Sequence, residues 1–262
     1  MKINSYLRPQ SLNEAYDELI TDKNNLILGG GAYLKLGNRN VNKLIDLCDL
    51  NLNYIKEQED SIEIGAMTTL RELEVSEVLK NYFAGILCDA VSRIMGVQLR
   101  NVATIGGTIG GRYGFSDFIT ALLALDTKVI LFNKGEMNLE DFLALKEVPK
   151  DIITKIVINK TDSKAAFKDL RNTSTDFSIL NVAVSRTANK FKIVIGARPG
   201  IARVAYKSME VINNCENPRD SLNKLCSALV NEVNFSSDIR GSELYRKEVA
   251  KVLVKRALME VL

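Results

Sequence analysis

The chain has 262 residues, of which 46% are hydrophobic and 26% charged, and its net charge is +3 at neutral pH. These proportions are those of an ordinary globular protein, and the weak, scattered positive charge argues against a nucleic-acid-binding surface. The sequence contains no histidine and no tryptophan. Without histidine, a Ser-His-Asp triad, a Cys-His pair and a histidine metal site are all excluded. Demanding chemistry would therefore have to come from a cofactor or from a partner protein.

The sequence indicates a cytoplasmic protein. Residues 1–20 lack a basic segment followed by an apolar run, and no stretch reaches the roughly 18 apolar residues of a membrane span. We therefore expect neither a secretory signal nor a membrane span. The cysteines are far apart and form no C-x-x-C pair, which favours reduced thiols over disulfides or a metal site. They are Cys48, Cys88, Cys215 and Cys226.

Residues 1–53 predict a small βα unit. Ser11 and Glu14 form a capping box, which opens a helix whose apolar residues recur at helical spacing. Strands are predicted at 25–28 and 43–47.

Residues 54–160 predict a mixed segment. A second capping box, Thr69 and Glu72, opens a short helix. Asp117 stands at the N-cap position of another helix, 118–125. The remaining predicted elements are strands at 61–64, 128–132 and 152–158 and a helix at 83–95.

Residues 161–262 predict a small α+β domain with helices packed on one face of a three-stranded sheet. The strands are expected at 165–170, 177–184 and 191–197, and the helices at 204–212, 221–230 and 242–261. In the last helix we expect a buried stripe formed by Val249, Val252, Leu253 and Ala257.

Two glycine clusters stand out. Gly29-Gly30-Gly31 follows a predicted strand, and residues 104–111 read Thr-Ile-Gly-Gly-Thr-Ile-Gly-Gly. Glycine permits positive φ and close approach of a ligand, and successive exposed N–H groups form a nest that suits a phosphate. Our hypothesis is that both loops close on one diphosphate of a dinucleotide. The alternatives stay open, because a lone cluster is usually a tight turn, neither a G-x-G-x-x-G nor a P-loop motif is present, and Asp117 alone is equally a helix cap.

Four ordered motifs resemble those of the FAD-binding subunits of molybdenum hydroxylases, the family of xanthine, CO and nicotinate dehydrogenases. Residues 100–109 read Arg-Asn-Val-Ala-Thr-Ile-Gly-Gly-Thr-Ile and are followed by Asp117 at the family's spacing. The other three are Phe167-Lys168 with Arg171, Gly196 with Pro199 and Arg203, and the Asp-x-Arg-Gly-Ser-x-x-Tyr-Arg signature at 238–246. The resemblance covers nearly the whole chain.

The resemblance implies an α+β protein in two parts. Residues 1–160 would form a FAD-binding domain of the vanillyl-alcohol oxidase-like (PCMH) type, with subdomains of about 1–53 and 54–160. Residues 161–262 would form the CO dehydrogenase flavoprotein C-terminal domain, with a three-stranded antiparallel sheet and helices.

The resemblance also implies a FAD site, but no catalytic acid or base. One side of the diphosphate would be held by residues 28–34 and the other by residues 104–108, with Ser116 and Asp117 towards the ribose or adenine. Ile94, Ile153 and Lys168 would contact the flavin, although a strand lysine alone is more often a surface residue. Ala32, Tyr33 and Thr108 depart from the family's usual residues. The full set is Leu28, Gly29, Gly30, Gly31, Ala32, Tyr33, Leu34, Ile94, Thr104, Ile105, Gly106, Gly107, Thr108, Ser116, Asp117, Ile153 and Lys168.

By resemblance, the function is electron transfer. A molybdopterin-binding large subunit and a [2Fe–2S] small subunit would be the partners, and the electrons would pass through FAD to NAD or another acceptor. A dimer of such heterotrimers is one arrangement that the resemblance allows. Two alternatives are a stand-alone flavin reductase of the same fold, like UDP-N-acetylenolpyruvoylglucosamine reductase, and a degenerate scaffold subunit without FAD.

Overall fold

The structure is a computed structural model that describes residues 1–34 and 38–262. The strands, in chain order, are β1 (Lys2–Leu7), β2 (Leu26–Leu28), β3 (Asn40–Asp46), β4 (Ile55–Glu57), β5 (Ser61–Gly65), β6 (Thr127–Leu131), β7 (Gly135–Asn138), β8 (Ile153–Asn159), β9 (Ser163–Leu170), β10 (Leu180–Thr187), β11 (Lys190–Gly196) and β12 (Arg203–Val204). The helices are α1 (Leu12–Thr21), α2 (Leu70–Val75), α3 (Glu77–Asn81), α4 (Ile86–Ser92), α5 (Val97–Arg100), α6 (Ile105–Gly111), α7 (Asp117–Ala124), α8 (Leu139–Ala144), α9 (Tyr206–Asn213), α10 (Pro218–Glu232) and α11 (Glu243–Val261).

The chain forms two compact units that are each discontinuous in sequence. Unit 1 comprises Met1–Glu72, Val97–Gly111 and Thr127–Asn159, and unit 2 comprises Leu73–Gly96, Arg112–Asp126 and Lys160–Leu262. Two segments that precede residue 160 therefore belong to the same unit as the C-terminal part. The predicted domain boundaries at 53 and 160 remain predictions.

Unit 1 contains a parallel sheet of order β1-β3-β2 and an antiparallel sheet of order β4-β5-β8-β6-β7. The predicted capping box is confirmed at α2, whereas at α1 only its N-cap half forms. Ser11 Oγ accepts from the Glu14 N–H (3.1 Å), but the Glu14 carboxylate accepts from the N–H of Gln10 rather than from that of Ser11. At α2, Thr69 donates to the Glu72 carboxylate through both its N–H (2.8 Å) and its hydroxyl (2.7 Å).

Apolar residues of α1 join the core of unit 1, as their helical spacing predicts. Ala15 and Leu19 pack with Ile45 of β3 and with residues around the antiparallel sheet, including Leu52 and Ile152. The predicted strands of this unit form within three residues of their expected bounds. β1 was not predicted because its residues, Lys-Ile-Asn-Ser-Tyr-Leu, do not alternate between apolar and polar, and five of the six are exposed in the structure.

Unit 2 contains an antiparallel sheet of order β12-β11-β10-β9. Its core joins one face of the sheet to α10 and α11 through residues such as Val182, Leu229 and Leu253. On the other face, β10 contacts α7, where the Thr120 hydroxyl donates to Asn181 Oδ1 (2.9 Å). The prediction of three strands is corrected to four, because Arg203 and Val204 pair with β11 and delay the start of α9 to Tyr206.

The predicted helix over 83–95 is wrong at both ends. Phe83 and Ala84 have φ values of 55° and 54°, and Gly85 has 71°. A right-handed helix cannot include three left-handed residues. The segment therefore makes one 3₁₀ turn over Phe83–Gly85, and α4 runs only from Ile86 to Ser92.

The buried stripe of α11 differs from the predicted one at Val252, whose exposed fraction is 47%. Leu253 and Ala257 are buried as predicted, and Val249 packs against the core at its edge. The largest buried side chain of the helix is instead Arg246. The sequence pattern misses it because arginine is almost never fully buried without partners.

The partners of Arg246 explain the signature at 238–246. The Arg246 guanidinium donates to the carbonyl oxygens of Ile179 (2.8 Å), Ser236 (2.8 Å) and Gly241, and to the Asp238 carboxylate (2.6 Å). The Asp238 carboxylate also accepts from the N–H of Arg240 (2.8 Å). Burial alone would raise the pKa of Asp238, but the hydrogen bond from Arg246 and the backbone donors hold it below its ordinary value. The signature therefore builds a charged clamp at the start of α11.

We expect Arg246→Gln to lower the free energy of unfolding by about 3 kcal/mol, because the carbonyl groups and the Asp238 carboxylate lose the hydrogen bonds of the guanidinium. Arg256→Gln is the matched control, since Arg256 lies exposed on the same helix. Its effect should stay within about 0.5 kcal/mol. Chemical denaturation of the two variants measures both values, and equal losses would contradict a clamp at Arg246.

Candidate functional site

The first glycine cluster leaves β2 in a backbone conformation that favours glycine. Gly30 and Gly31 have φ values of +75° and +72°. A Cβ atom on Gly30 would lie 1.8 Å from the carbonyl oxygen of Val102, so glycine is also required by space. Ala32, Tyr33 and Leu34 follow and are half-buried.

The second cluster is not the loop that we expected. Ile105–Gly111 forms helix α6, and none of its glycines has a positive φ. The N–H groups at its start are hydrogen-bonded within unit 1. Their acceptors are Thr68 O for Ile105 (3.0 Å), Ala66 O for Gly106 (2.8 Å), Thr104 Oγ1 for Gly107 (3.2 Å) and Thr104 O for Thr108 (2.9 Å).

The two clusters meet within unit 1. A Cβ atom on Gly107 would lie 2.6 Å from the carbonyl oxygen of Gly29, and one on Gly29 would lie 3.0 Å from Thr104 Oγ1. A Cβ atom on Gly106 would lie 2.9 Å from Ala66 O. Glycine at these positions therefore serves close backbone packing, and the expected proximity of the two clusters is confirmed.

Two more predicted site residues lie beside α6. The Thr108 hydroxyl donates to Thr104 O (2.8 Å), the carbonyl oxygen four residues earlier in the chain. Ile153 begins β8, and its Cδ1 atom would lie 3.6 Å from a Cβ atom on Gly110, an ordinary contact distance. Unit 1 thus places Gly29 and Gly30 against residues 102–107, and Ile153 beside Gly110.

Ser116 and Asp117 start α7 in unit 2, but their roles differ from the predicted ones. Ser116 is the N-cap, since its Oγ accepts from the Ile119 N–H (3.2 Å), and Asp117 is the first helical residue. The prediction of Asp117 as the N-cap is therefore wrong by one residue. Asp117 is only 4% exposed.

The Asp117 carboxylate accepts three hydrogen bonds from its own unit. Oδ1 accepts from Ser178 Oγ (2.7 Å) and from Asn181 Nδ2 (2.5 Å), and Oδ2 accepts from the Arg171 guanidinium (2.8 Å). Burial raises the pKa of the Asp117 carboxyl above its ordinary value, while Arg171, Ser178 and Asn181 pull it in the other direction. Burial opposes the charge on Arg171, but Asp117 and Asp169 outweigh it and hold the pKa of Arg171 above its ordinary value.

Sequence reasoning missed Ser178 and Asn181 as members of this network. Both belong to the run Phe-Ser-Ile-Leu-Asn-Val-Ala-Val at 177–184, which is otherwise apolar. A polar residue within a buried strand needs a hydrogen-bond partner, so the run itself carried the signal.

Lys168 lies on the opposite face of the unit 2 sheet from Asp117. On β10, Asn181 faces Asp117, whereas Val182 pairs with Lys168 and belongs to the face covered by α11. The Lys168 ammonium forms an ion pair with Glu260 of α11. Ile94, half-buried just after α4, is the fourth predicted site residue in this unit. Unit 2 therefore does not bring Lys168 next to Asp117.

Comparison with known families identifies the class of protein. The family model described as "FAD binding domain in molybdopterin dehydrogenase" matches residues 1–160, and the model described as "CO dehydrogenase flavoprotein C-terminal domain" matches residues 165–261. The chain therefore belongs to the FAD-binding flavoprotein family of the molybdopterin dehydrogenases. It is a FAD-binding oxidoreductase subunit, as the motifs predicted.

Relatives match over almost their full lengths. The chain is 29% identical to the glyceraldehyde dehydrogenase medium chain of Sulfolobus acidocaldarius over 98% of both chains. It is 25% identical to the nicotinate dehydrogenase FAD-subunit of Eubacterium barkeri, covering 100% of this chain and 97% of the relative. The fold matches carbon monoxide dehydrogenase from Hydrogenophaga pseudoflava with a TM-score of 0.91 at 22% identity, covering 100% of this chain and 97% of that one.

The residues of the two glycine clusters fit FAD chemically. Residues 28–34 and 101–111 contain no Asp or Glu, so a diphosphate meets no carboxylate from these segments. Gly29–Gly31 lie outside the helices and strands, with a backbone that carries no side chains.

Within residues 1–34 and 38–262, no three His, Cys, Asp or Glu side chains are grouped so that they could hold a metal ion. No helix in these ranges has the length and apolar character needed to cross a bilayer.

We expect opposite effects from alanine at two glycines of α6. Gly107→Ala should destabilise the protein by about 1–3 kcal/mol, because its Cβ meets the Gly29 backbone at 2.6 Å. Gly110→Ala has room for its Cβ and should be neutral or stabilising by up to about 1 kcal/mol, the gain in helix propensity. Thermal denaturation compares the two variants. A Gly107→Ala protein as stable as Gly110→Ala would show that the backbones do not meet.

Proposed function

We propose that this chain is the electron-transfer subunit of a molybdenum hydroxylase, holding FAD between a [2Fe–2S] partner and an electron acceptor. The observation that carries the proposal is the close backbone approach of the two glycine clusters at Gly29 and Gly107, neither of which contains Asp or Glu. Relatives named as a medium chain and as a FAD-subunit support a role as one subunit among several. A molybdopterin-binding large subunit and a [2Fe–2S] small subunit are the partners we propose.

The task of the chain in this proposal is to bind and position the cofactor. Residues 28–34 and 104–108 would border the diphosphate, with the bare backbone at Gly30 and Gly31 allowing close approach. Because the N–H groups of residues 105–108 are already hydrogen-bonded, we propose that residues 28–34 supply most of the phosphate donors. Ile94, Ile153 and Lys168 remain the proposed flavin contacts.

FAD, when bound, supplies a group that accepts and releases two electrons. For the release we propose NAD as the acceptor, and a hydride transfer needs no acid or base from the chain. Lys168 would place a positive charge beside the reduced flavin, and its ion pair with Glu260 would lower the positive potential at the flavin. Positioning, rather than chemistry on a side chain, is therefore the proposed contribution of this subunit.

A FAD titration of the purified chain tests the site with a closely matched pair of variants. Gly30→Ala should raise the Kd for FAD at least about tenfold, a change of about 1.4 kcal/mol, because its Cβ displaces Val102. Gly135→Ala is the control, since Gly135 has the same φ of +75° but nothing within 4 Å of its Cβ position. The visible flavin spectrum of the bound cofactor is the readout.

The same titration separates the rival functions. Equal affinities of the two variants for FAD would place the cofactor elsewhere on the chain. A chain that takes up no FAD, even together with its partner subunits, would instead support the scaffold without FAD.

The acceptor is tested by anaerobic reduction. If NAD is the acceptor, NADH should bleach the visible flavin band of the FAD-loaded protein, because hydride transfer is reversible. Dithionite provides the control that the bound flavin can be reduced. Bleaching by dithionite but not by NADH or NADPH would point to an acceptor other than a nicotinamide.

A further inference from the structure

We propose that Arg171 is a positioning residue for FAD, which orients the Asp117 carboxylate to accept a hydroxyl group of the cofactor. This inference rests on the proposed function, together with the sequence prediction that Asp117 faces the ribose or adenine end. It concerns only unit 2, which contains both residues. The argument starts from the acceptor positions of Asp117.

The carboxylate of Asp117 retains acceptor capacity on one oxygen. A carboxylate offers about four lone-pair positions, two on each oxygen. Oδ1 already accepts two hydrogen bonds, from Ser178 and Asn181, whereas Oδ2 accepts one, from Arg171. A ligand hydroxyl would therefore bind at Oδ2, the oxygen whose position Arg171 controls.

Arg171 itself has no donor left for a phosphate. A guanidinium carries five N–H donors. Nε donates to the Asp169 carboxylate (2.6 Å), one terminal nitrogen to the carbonyl oxygens of Arg93 (2.5 Å) and Asp176 (3.1 Å), and the other to Asp117 (2.8 Å) and Ser178 Oγ (3.0 Å). The Arg171 side chain is only 9% exposed. Its effect on a bound cofactor therefore acts through Asp117 rather than by direct contact.

Arg171 also compensates the charge of the site. A buried carboxylate loses its hydration, which favours the protonated form, and Arg171 is the cation that opposes this effect on Asp117. Without Arg171 the carboxyl would more readily hold its own proton, and a neutral carboxyl accepts a hydroxyl more weakly than a carboxylate does. Asp169, held from its other side by Arg93 (3.2 Å), keeps the guanidinium in place.

A double-mutant cycle on FAD affinity tests this role. The 262-residue chain is titrated with FAD as wild type, Arg171→Gln, Asp117→Asn and the double variant. We expect Arg171→Gln to raise the Kd at least tenfold, and the double variant to bind no more weakly than Asp117→Asn alone. Non-additivity of this kind is expected when one residue acts through another.

Arg246→Gln is the matched control for a purely structural effect. Arg246 is a second buried arginine of unit 2 with hydrogen bonds of the same type, but none to Asp117. It should lower the melting temperature while leaving the Kd for FAD within twofold of wild type. If Arg171→Gln does not fold, Arg171→Lys replaces it in the cycle, because lysine retains the charge but not the planar set of donors.

Several outcomes would overturn the inference. Unchanged FAD affinity in a folded Arg171 variant would do so, and so would a double variant whose losses add. An equal loss of affinity in Arg246→Gln would reduce the role to general stability. Failure of the wild-type chain to bind FAD would instead contradict the proposed function itself, so the two failures are distinguished.

Discussion

The close approach of the backbones at Gly29 and Gly107 is the constraint on which unit 1 depends. The carbonyl oxygen of Gly29 occupies the space that any side chain at position 107 would need. Gly30 is confined in the same way by Val102, and its positive φ adds a second restriction. These contacts join the end of β2 to the start of α6, two segments far apart in the sequence. The glycine clusters therefore first build the fold, and only through it the surface proposed for the diphosphate.

Unit 2 depends on a different principle, the compensation of buried charge by arginine. Arg246 is buried and Arg171 nearly so, and acceptors surround both, one beside Asp117 and the other beside Asp238. Each pair ties a loop to a helix start: Arg171 reaches α7, and Arg246 closes the turn that precedes α11. Such pairs add less net stability than their contacts suggest, because the buried charges must lose water. Their value lies in orientation, which is what a cofactor-binding carboxylate requires.

Local signals were predictable from the sequence, and contacts between distant residues were not. The N-cap at Ser11 and the capping box at Thr69 are confirmed because a cap involves residues three positions apart. The break at Phe83–Gly85 was missed because the apolar spacing continues through it, although two non-glycine residues adopt positive φ there. The second glycine cluster was taken for a loop because glycine disfavours helices, yet tertiary packing against Ala66 and Gly29 holds it in α6.

The candidate site shows the same division. Motif resemblance pointed to both glycine clusters and to Asp117. It carried no information on the hydrogen bonds that Asp117 receives from Ser178 and Asn181, because these depend on how β10 and the segment before it lie against α7. Nor could spacing along β9 show that Lys168 faces α11, away from Asp117, since strand alternation gives two faces without saying what covers each.

Amide hydrogen exchange with and without FAD tests the central claim most directly. If the two glycine clusters form the diphosphate site, FAD should slow exchange in peptides that cover residues 28–34 and 102–111 more than elsewhere in unit 1. Peptides from β4 and β7, the two edge strands of the antiparallel sheet of the same unit, provide the internal reference. Saturating FAD that leaves exchange at both clusters unchanged would contradict the account.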